Sequence, residues 1–318
     1  MSPKRLSVSL AAMRGRLTTL ISNLNLDIII AVICGVSGTD WGSFKVTDCH
    51  YLSIELAPSH KIGLSLASPL IAGSSAFGFA DEYASLVDFS RFGAFITNSL
   101  TLRPRSPANE QGVIPFPGGA LIHTGLPNPG LSAAIRDYEH KWEGLGCPVI
   151  VHVAATTADE VASCVEKLER VESVAGIEIG FRDHESLAEA ETMMRAAVQL
   201  ARQPIIVSLP CARASSFARL AEKVGAQAVT ATAPPRGTLR RNGEWVSGRL
   251  YGPALLPQTL SLVRELKTGA ALPIIGAGGV HTKDDVEAML VAGATAVQVD
   301  SAVWVEPVGA RSGRLTGL

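Results

Sequence analysis

From residue 52 onward the chain alternates short apolar runs, bounded by glycine or proline, with longer stretches whose apolar residues recur every three or four positions. The short runs read as buried parallel strands and the longer stretches as helices packed on them. Eight runs qualify, at 69–72, 94–98, 148–153, 176–179, 204–209, 228–232, 273–276 and 296–299. Amphipathic helices are predicted over 158–170, 185–201, 215–224, 259–267 and 284–292. Eight strands with crossover helices predict an α/β fold, a (β/α)8 TIM barrel. The connection 100–146, rich in proline and glycine, reads as a loop over the C-terminal mouth, where ligands meet such barrels.

The last two runs end in turn signals. Gly276, Gly278 and Gly279 follow one, and Asp300 and Ser301 follow the other. Glycine lets the backbone turn tightly and bring its N–H groups to an anion at the start of the next helix, so this pair of turns predicts a phosphate cradle. Asp300 complicates it. Its carboxylate can cap the next helix and occupy the anion's place, or turn outward and leave its N–H to serve.

Composition narrows the class. A chain of 318 residues, 47% hydrophobic and 18% charged, suits one large soluble barrel. A net charge of −1, with no basic run interleaved with aromatics, argues against nucleic acid as a partner. The five cysteines, Cys34, Cys49, Cys147, Cys164 and Cys211, show no metal spacing and read as reduced thiols of a cytoplasmic protein; no metal is expected.

The ends differ from the barrel. Residues 1–26 hold Lys4, Arg5, Arg14 and Arg16 and no acid, before an apolar run at 28–36. That run is shorter than the roughly 20 residues that span a bilayer, so no integral membrane span is expected. A membrane-facing amphipathic element, a plain extension and an upstream start codon all remain open. The expected division is therefore an extension at 1–50 and the barrel at 51–318. The eleven residues after Pro307 are glycine-rich and aperiodic, and predict no closing helix.

Five stretches carry a resemblance. They are 68–78 (Ser-Pro-Leu-Ile-Ala-Gly-Ser-Ser-Ala-Phe-Gly) with Glu82 and Tyr83; 93–101 (Gly-Ala-Phe-Ile-Thr-Asn-Ser-Leu-Thr) with Arg103, Pro104 and Arg105; 125–130 (Gly-Leu-Pro-Asn-Pro-Gly); Gly252, Pro253 and Ala254; and the two phosphate turns. Together they resemble the dihydroorotate dehydrogenase family, closer to its soluble class 1 than to its membrane-bound class 2, from about Leu52 to Pro307. The resemblance implies flavin mononucleotide (FMN) at the mouth and oxidation of dihydroorotate to orotate, a base taking a proton as hydride passes to the flavin. It assigns cofactor contacts to Ser74, Asn98, Ser99, Ser208, Gly252, Gly278, Gly279, Asp300 and Ser301. Substrate contacts fall to Gly125, Leu126 and Asn128. It also implies a homodimer or a partner subunit that takes the electrons.

The same comparison marks losses. Asn98 and Ser208 stand where the family has lysines, and Gly180, Ile122 and Ala233 stand where it has asparagines. Asp183 lies nearest the position of the catalytic cysteine and is the candidate base, although an aspartate ahead of a helix also reads as an N-cap. His184, His123 and His152 are further candidates, while Arg103, Arg105 and Arg182 suit a carboxylate. Two functions follow: an FMN oxidoreductase of weakened or altered activity, and a non-catalytic barrel kept for binding or assembly.

Overall fold

The structure is a computed structural model, described over residues 54–85, 87–108 and 112–303; the whole of the predicted extension 1–50 and the segment after Pro307 lie outside the described residues. A hairpin of β1 (Ile54–Glu55) and β2 (Ser65–Leu66) comes first, held by Glu55, whose carboxylate accepts the N–H groups of Ala57 at 2.7 Å and Leu64 at 2.6 Å. Then β3 (Leu70–Ala72) and β4 (Ala94–Ile96) open the barrel. The insertion that follows contains β5 (Gly112–Phe116), β6 (Gly119–His123) and helix α1 (Leu131–Glu143).

The barrel continues with β7 (Val149–Ala154), α2 (Ala158–Leu168), β8 (Val174–Gly180), α3 (Leu187–Leu200), β9 (Ile205–Ser208), α4 (Ala214–Val224) and β10 (Ala228–Ala231). A second insertion, β11 (Arg236–Arg241) and β12 (Glu244–Tyr251), precedes α5 (Leu256–Gly269), β13 (Ile274–Ala277), α6 (Lys283–Ala292) and β14 (Ala296–Val299). The eight barrel strands are parallel and neighbour one another in chain order round a closed ring, β14 pairing back onto β3. All eight predicted runs are barrel strands.

The side-chain period of two sorts the interior into floors. At the N-terminal end, Ile71, Ile96, Ile150, Ile206, Ile275 and small alanines pack on Leu56, Leu64 and Leu66 of the hairpin, which plugs the barrel. One step higher, the inward residues of β7, β8 and β10 are His152, Glu178 and Thr230, all buried. Above them the backbone reaches the mouth at Gly180, Ser208 and Asp300. Alternate residues such as Val151, Ile177, Val207 and Val229 face the helices and make the larger outer core.

One expectation is corrected. The connection 100–146 is not loop throughout, because Leu131, Ala134 and Trp142 anchor α1, with Trp142 Nε1 donating to Phe79 O at 2.8 Å. The stretch between β10 and α5 also folds. Asn242 (φ 51°) and Gly243 (φ 88°) make a tight reversal, so β11 and β12 form a hairpin. β12 pairs with β6, giving the antiparallel sheet β11-β12-β6-β5, which joins two insertions across the C-terminal mouth.

Candidate active site

The mouth has two rims. One follows β13 and β14. Gly278 (φ 112°) and Gly279 (φ 82°) take left-handed conformations, and their N–H groups donate to no described residue. A Cβ at Gly279 would lie 2.3 Å from Leu256 N, so only glycine lets this turn meet the start of α5. Opposite, the carboxylate of Asp300 accepts the N–H of Ser301 in a very short hydrogen bond. Asp300 is 5% exposed, so the outward orientation is excluded and the carboxyl faces the cleft. Burial pushes its pKa up, against its bonds to Ser301. His281 Nε2 sits 3.2 Å from Ser301 Oγ, and burial drives His281 down to about 4, which keeps it neutral.

A cleft of about 350 Å³, counting the open space at its mouth, runs from this turn beneath β12. Thr232, Tyr251, Leu255, Thr259, Asp300 and Ser301 are among its walls, and among the described residues no lysine or arginine lines it. Burial raises Tyr251 to about 12, its hydroxyl bonded to Ser75 and its ring near the Asp300 charge.

The other rim follows β7, β8 and β9. His152 and Glu178 are direct partners across β7 and β8, with His152 Nδ1 at 2.5 Å from Glu178 Oε2. The second oxygen of Glu178 accepts a very short bond from Thr230 Oγ1, and His152 N donates to Thr97 Oγ1 at 3.1 Å. Gly180 stands above: a Cβ there would lie 2.6 Å from His152 Nε2. Beyond it, Asp183 accepts from Arg236 Nε at 2.8 Å and Arg249 Nη1 at 2.7 Å. Burial raises the Asp183 pKa, but Arg249 and Arg236 outweigh it and hold the carboxyl below its usual value.

Asp183 is therefore no helix cap. The cap of α3 is Ser186, in a reciprocal box with Glu189. Asp183 instead ties the loop after β8 to the β11–β12 hairpin. Asn128 is also occupied, its Oδ1 accepting from Thr101 N, Thr101 Oγ1 and Gly130 N and its Nδ2 donating to Leu126 O. Gly125 (φ 78°) and Leu126 (φ 57°) shape the same loop, with Leu126 exposed. Asn98 accepts the Ser75 N–H at 2.8 Å at the end of β4; Ser74 and Ser99 beside it are half-buried, and Ser208 is buried at the end of β9. His184, Arg103 and Arg105 are exposed, His123 and Ile122 are half-buried in β6, and Arg182 pairs with the buried Glu185.

Sequence reading missed Tyr251, Arg249, His281 and the partnership of Glu178. A signal existed for Glu178, the one charge inside an apolar strand, since a buried carboxylate demands partners.

The family model for dihydroorotate dehydrogenase matches residues 57–311. The chain belongs to that family. Among its relatives, dihydroorotate dehydrogenase B (NAD(+)), catalytic subunit, of Geotalea daltonii is 30% identical over 283 residues, 82% of this chain and 90% of that one. The proteins of the same name from Bacillus pumilus and Desulforudis audaxviator are each 32% identical, covering 77% of this chain and 85% and 86% of their own lengths.

The family resemblance implies FMN, and the glycine rim tests the fit. The free N–H groups of Gly278 and Gly279 suit a phosphate. An ionised Asp300 does not, for it faces the same space with no cation beside it among the described residues. The residues fit a phosphomonoester when Asp300 carries a proton, and burial moves its pKa in that direction. Burial also raises the thiols of Cys147 and Cys164 to about 12, so neither is a nucleophile or base at neutral pH.

Proposed function

We propose that this chain is an FMN oxidoreductase of the dihydroorotate dehydrogenase type, acting on dihydroorotate or a related small molecule of pyrimidine metabolism. Its activity is weakened or altered relative to family members that keep the lysines. The observation that carries this reading is the pair of N–H groups at Gly278 and Gly279, presented without partners at the end of a barrel strand.

Bound there, FMN would supply a hydride acceptor. Gly278, Gly279 and Ser301 would hold its phosphate, with the Asp300 carboxyl facing it. Asn98, Ser99, Ser74, Ser208 and Gly252 would face its ring system, and Gly125, Leu126 and Asn128 the substrate. Charge that builds during reaction would meet the Ser208 hydroxyl and the Asn98 amide rather than ammonium groups. Replacing fixed charges by neutral dipoles weakens transition-state stabilisation. Asp183, with each oxygen held by an arginine, is a poor base.

No described helix is long and apolar enough to cross a membrane. We place the protein in the cytoplasm, with a homodimeric or partner-subunit assembly, because the relatives above are named as catalytic subunits.

The test is optical. The purified chain should turn yellow with FMN, show a thermal shift selective over flavin adenine dinucleotide, and bleach slowly under anaerobic dihydroorotate. Bleaching should trail that of an intact relative by roughly 10²–10⁴-fold, the worth of a well-placed acid–base group. A colourless protein with no thermal shift at any pH overturns the reading. It would favour a second one, a non-catalytic binding barrel, which the Asp300 carboxylate on Ser301 N–H supports.

A further inference from the structure

We propose that His152 is the proton acceptor of this barrel, with Glu178 and Thr230 as the positioning residues that hold it; the proposal rests on the reading that the mouth binds a small acid with an acidic C–H bond. The three side chains come from β7, β8 and β10, with β9 between the last two, and meet in the barrel interior, where His152 is 8% and Glu178 1% exposed. Glu178 is saturated from two sides. Thr230 Oγ1 donates to one oxygen, and Nδ1 of His152 lies 2.5 Å from the other. Nδ1 faces that carboxyl group, and the ring nitrogen left for a substrate is Nε2. An imidazole oriented in this way by a buried carboxylate is the arrangement of a general base.

Nε2 lies beside the empty side of Gly180, where a Cβ would be only 2.6 Å away. Nε2 makes no hydrogen bond to a described residue. Nor is it among the enclosed polar atoms without partners, which are Ser173 Oγ, Gln203 Oε1 and Gln298 Oε1. It therefore opens onto accessible space just below the rim. The family resemblance places an asparagine at Gly180. The glycine removes that amide, and the imidazole rises from the next strand into the room it leaves. The two positions are one exchange: any side chain at 180 would expel the ring, and the ring fills what 180 vacates.

The step is a proton transfer. The C–H bond beside a substrate carbonyl breaks, its proton adds to Nε2, and the electron pair stays on the substrate, delocalised onto the carbonyl oxygen. The imidazolium, still held by Glu178, returns the proton or releases it to water at the mouth.

Deuterium wash-in tests this without any oxidant. The full chain is incubated with dihydroorotate in D2O, and exchange at the carbon beside the carbonyl is followed by mass spectrometry over the uncatalysed background. The wild type should exchange, and His152→Gln should slow exchange by roughly 10²–10⁴-fold. Glu178→Gln should lower the rate constant and leave KM unchanged, with partial recovery in Glu178→Asp. Because a core variant can fail to fold, the wild type is also examined by 15N NMR, where His152 should carry its proton on Nδ1. A proton on Nε2, wash-in indifferent to His152→Gln, or no wash-in by protein that binds dihydroorotate overturns the proposal. Wash-in without flavin bleaching would sink the oxidoreductase reading and keep His152. Bleaching that survives His152→Gln would do the reverse.

Discussion

Two aspartates mark opposite rims of the mouth, and their surroundings push them in opposite directions. Asp183 has an arginine on each oxygen and is held below its usual pKa, whereas Asp300 is buried with no cation beside it among the described residues and is pushed above it. The first is a clamp and stays ionised. The second accepts the N–H of Ser301, the group that the proposed phosphate would take. The contrast extends to how each rim is built. On the Asp300 rim backbone N–H groups do the work, and glycine alone sustains it. On the Asp183 rim side chains do, and the network from His152 to Thr230 has been rebuilt around a missing one.

The sharpest way to break this contrast is to add one methyl to each rim. Gly279→Ala should cost about 3 kcal/mol or more, because a left-handed non-glycine residue and a 2.3 Å clash with backbone have no soft neighbour to yield. Gly180→Ala meets only the imidazole tip and can push it aside, so it should cost less stability and more wash-in activity. Thermal melts of the two variants decide it. Equal losses would mean that Gly180 is packed by backbone rather than vacated for a side chain.

Charge on the glycine rim gives the next largest effect. A phosphate near an ionised carboxylate is repelled by on the order of 3 kcal/mol at 5 Å and an effective dielectric of 20, so Asp300→Asn should tighten FMN by about 10- to 100-fold at neutral pH. In the wild type, FMN should bind better as pH falls. The stability contribution has the same sign. A carboxyl whose folded pKa is raised is most favourable below its unfolded value near 3.8, and that advantage is lost as pH rises through the folded pKa. Asp300→Asn should flatten this slope in denaturant titrations. An unchanged FMN affinity would put the phosphate elsewhere.

These positions also show what the sequence could and could not tell. The barrel was readable because eight buried parallel strands leave a signal that needs no partner to interpret: continuous apolar runs ended by glycine or proline. The sheet over the mouth left none. Both faces of β11 are half or fully exposed and Arg236, Arg240 and Arg241 occupy it, so only the Asn242–Gly243 turn announced a hairpin. Helix α1 hid behind Pro127, Pro129 and Gly130. At the site, the glycine turns were legible because backbone geometry is written in single residues. Asp183 was not, since its partners lie 53 and 66 positions away and nothing local names them. The cap belonged to Ser186, three residues on.

Asp183 itself gives the smallest expected effect, and one that sharpens the comparison most finely. Its ion pairs are about a third exposed on the Asp183 side, and Arg236 is 63% exposed, so solvent screens them. Asp183→Asn should cost at most about 1 kcal/mol. The sign with pH is opposite to that of Asp300: a depressed folded pKa gives stability that is full above the unfolded value near 3.8 and is lost as pH falls through the folded one. What the substitution should change is local. With Arg236 and Arg249 released, the β11–β12 hairpin loses its tie to the loop after β8, and proteolysis near Asn242 should quicken while the barrel's melting point barely moves. If wash-in instead disappears with the hairpin still protected, then Asp183 takes the proton, and His152 with Glu178 is only a buried polar contact beneath it. The two rims would then exchange roles, with the clamp as the base.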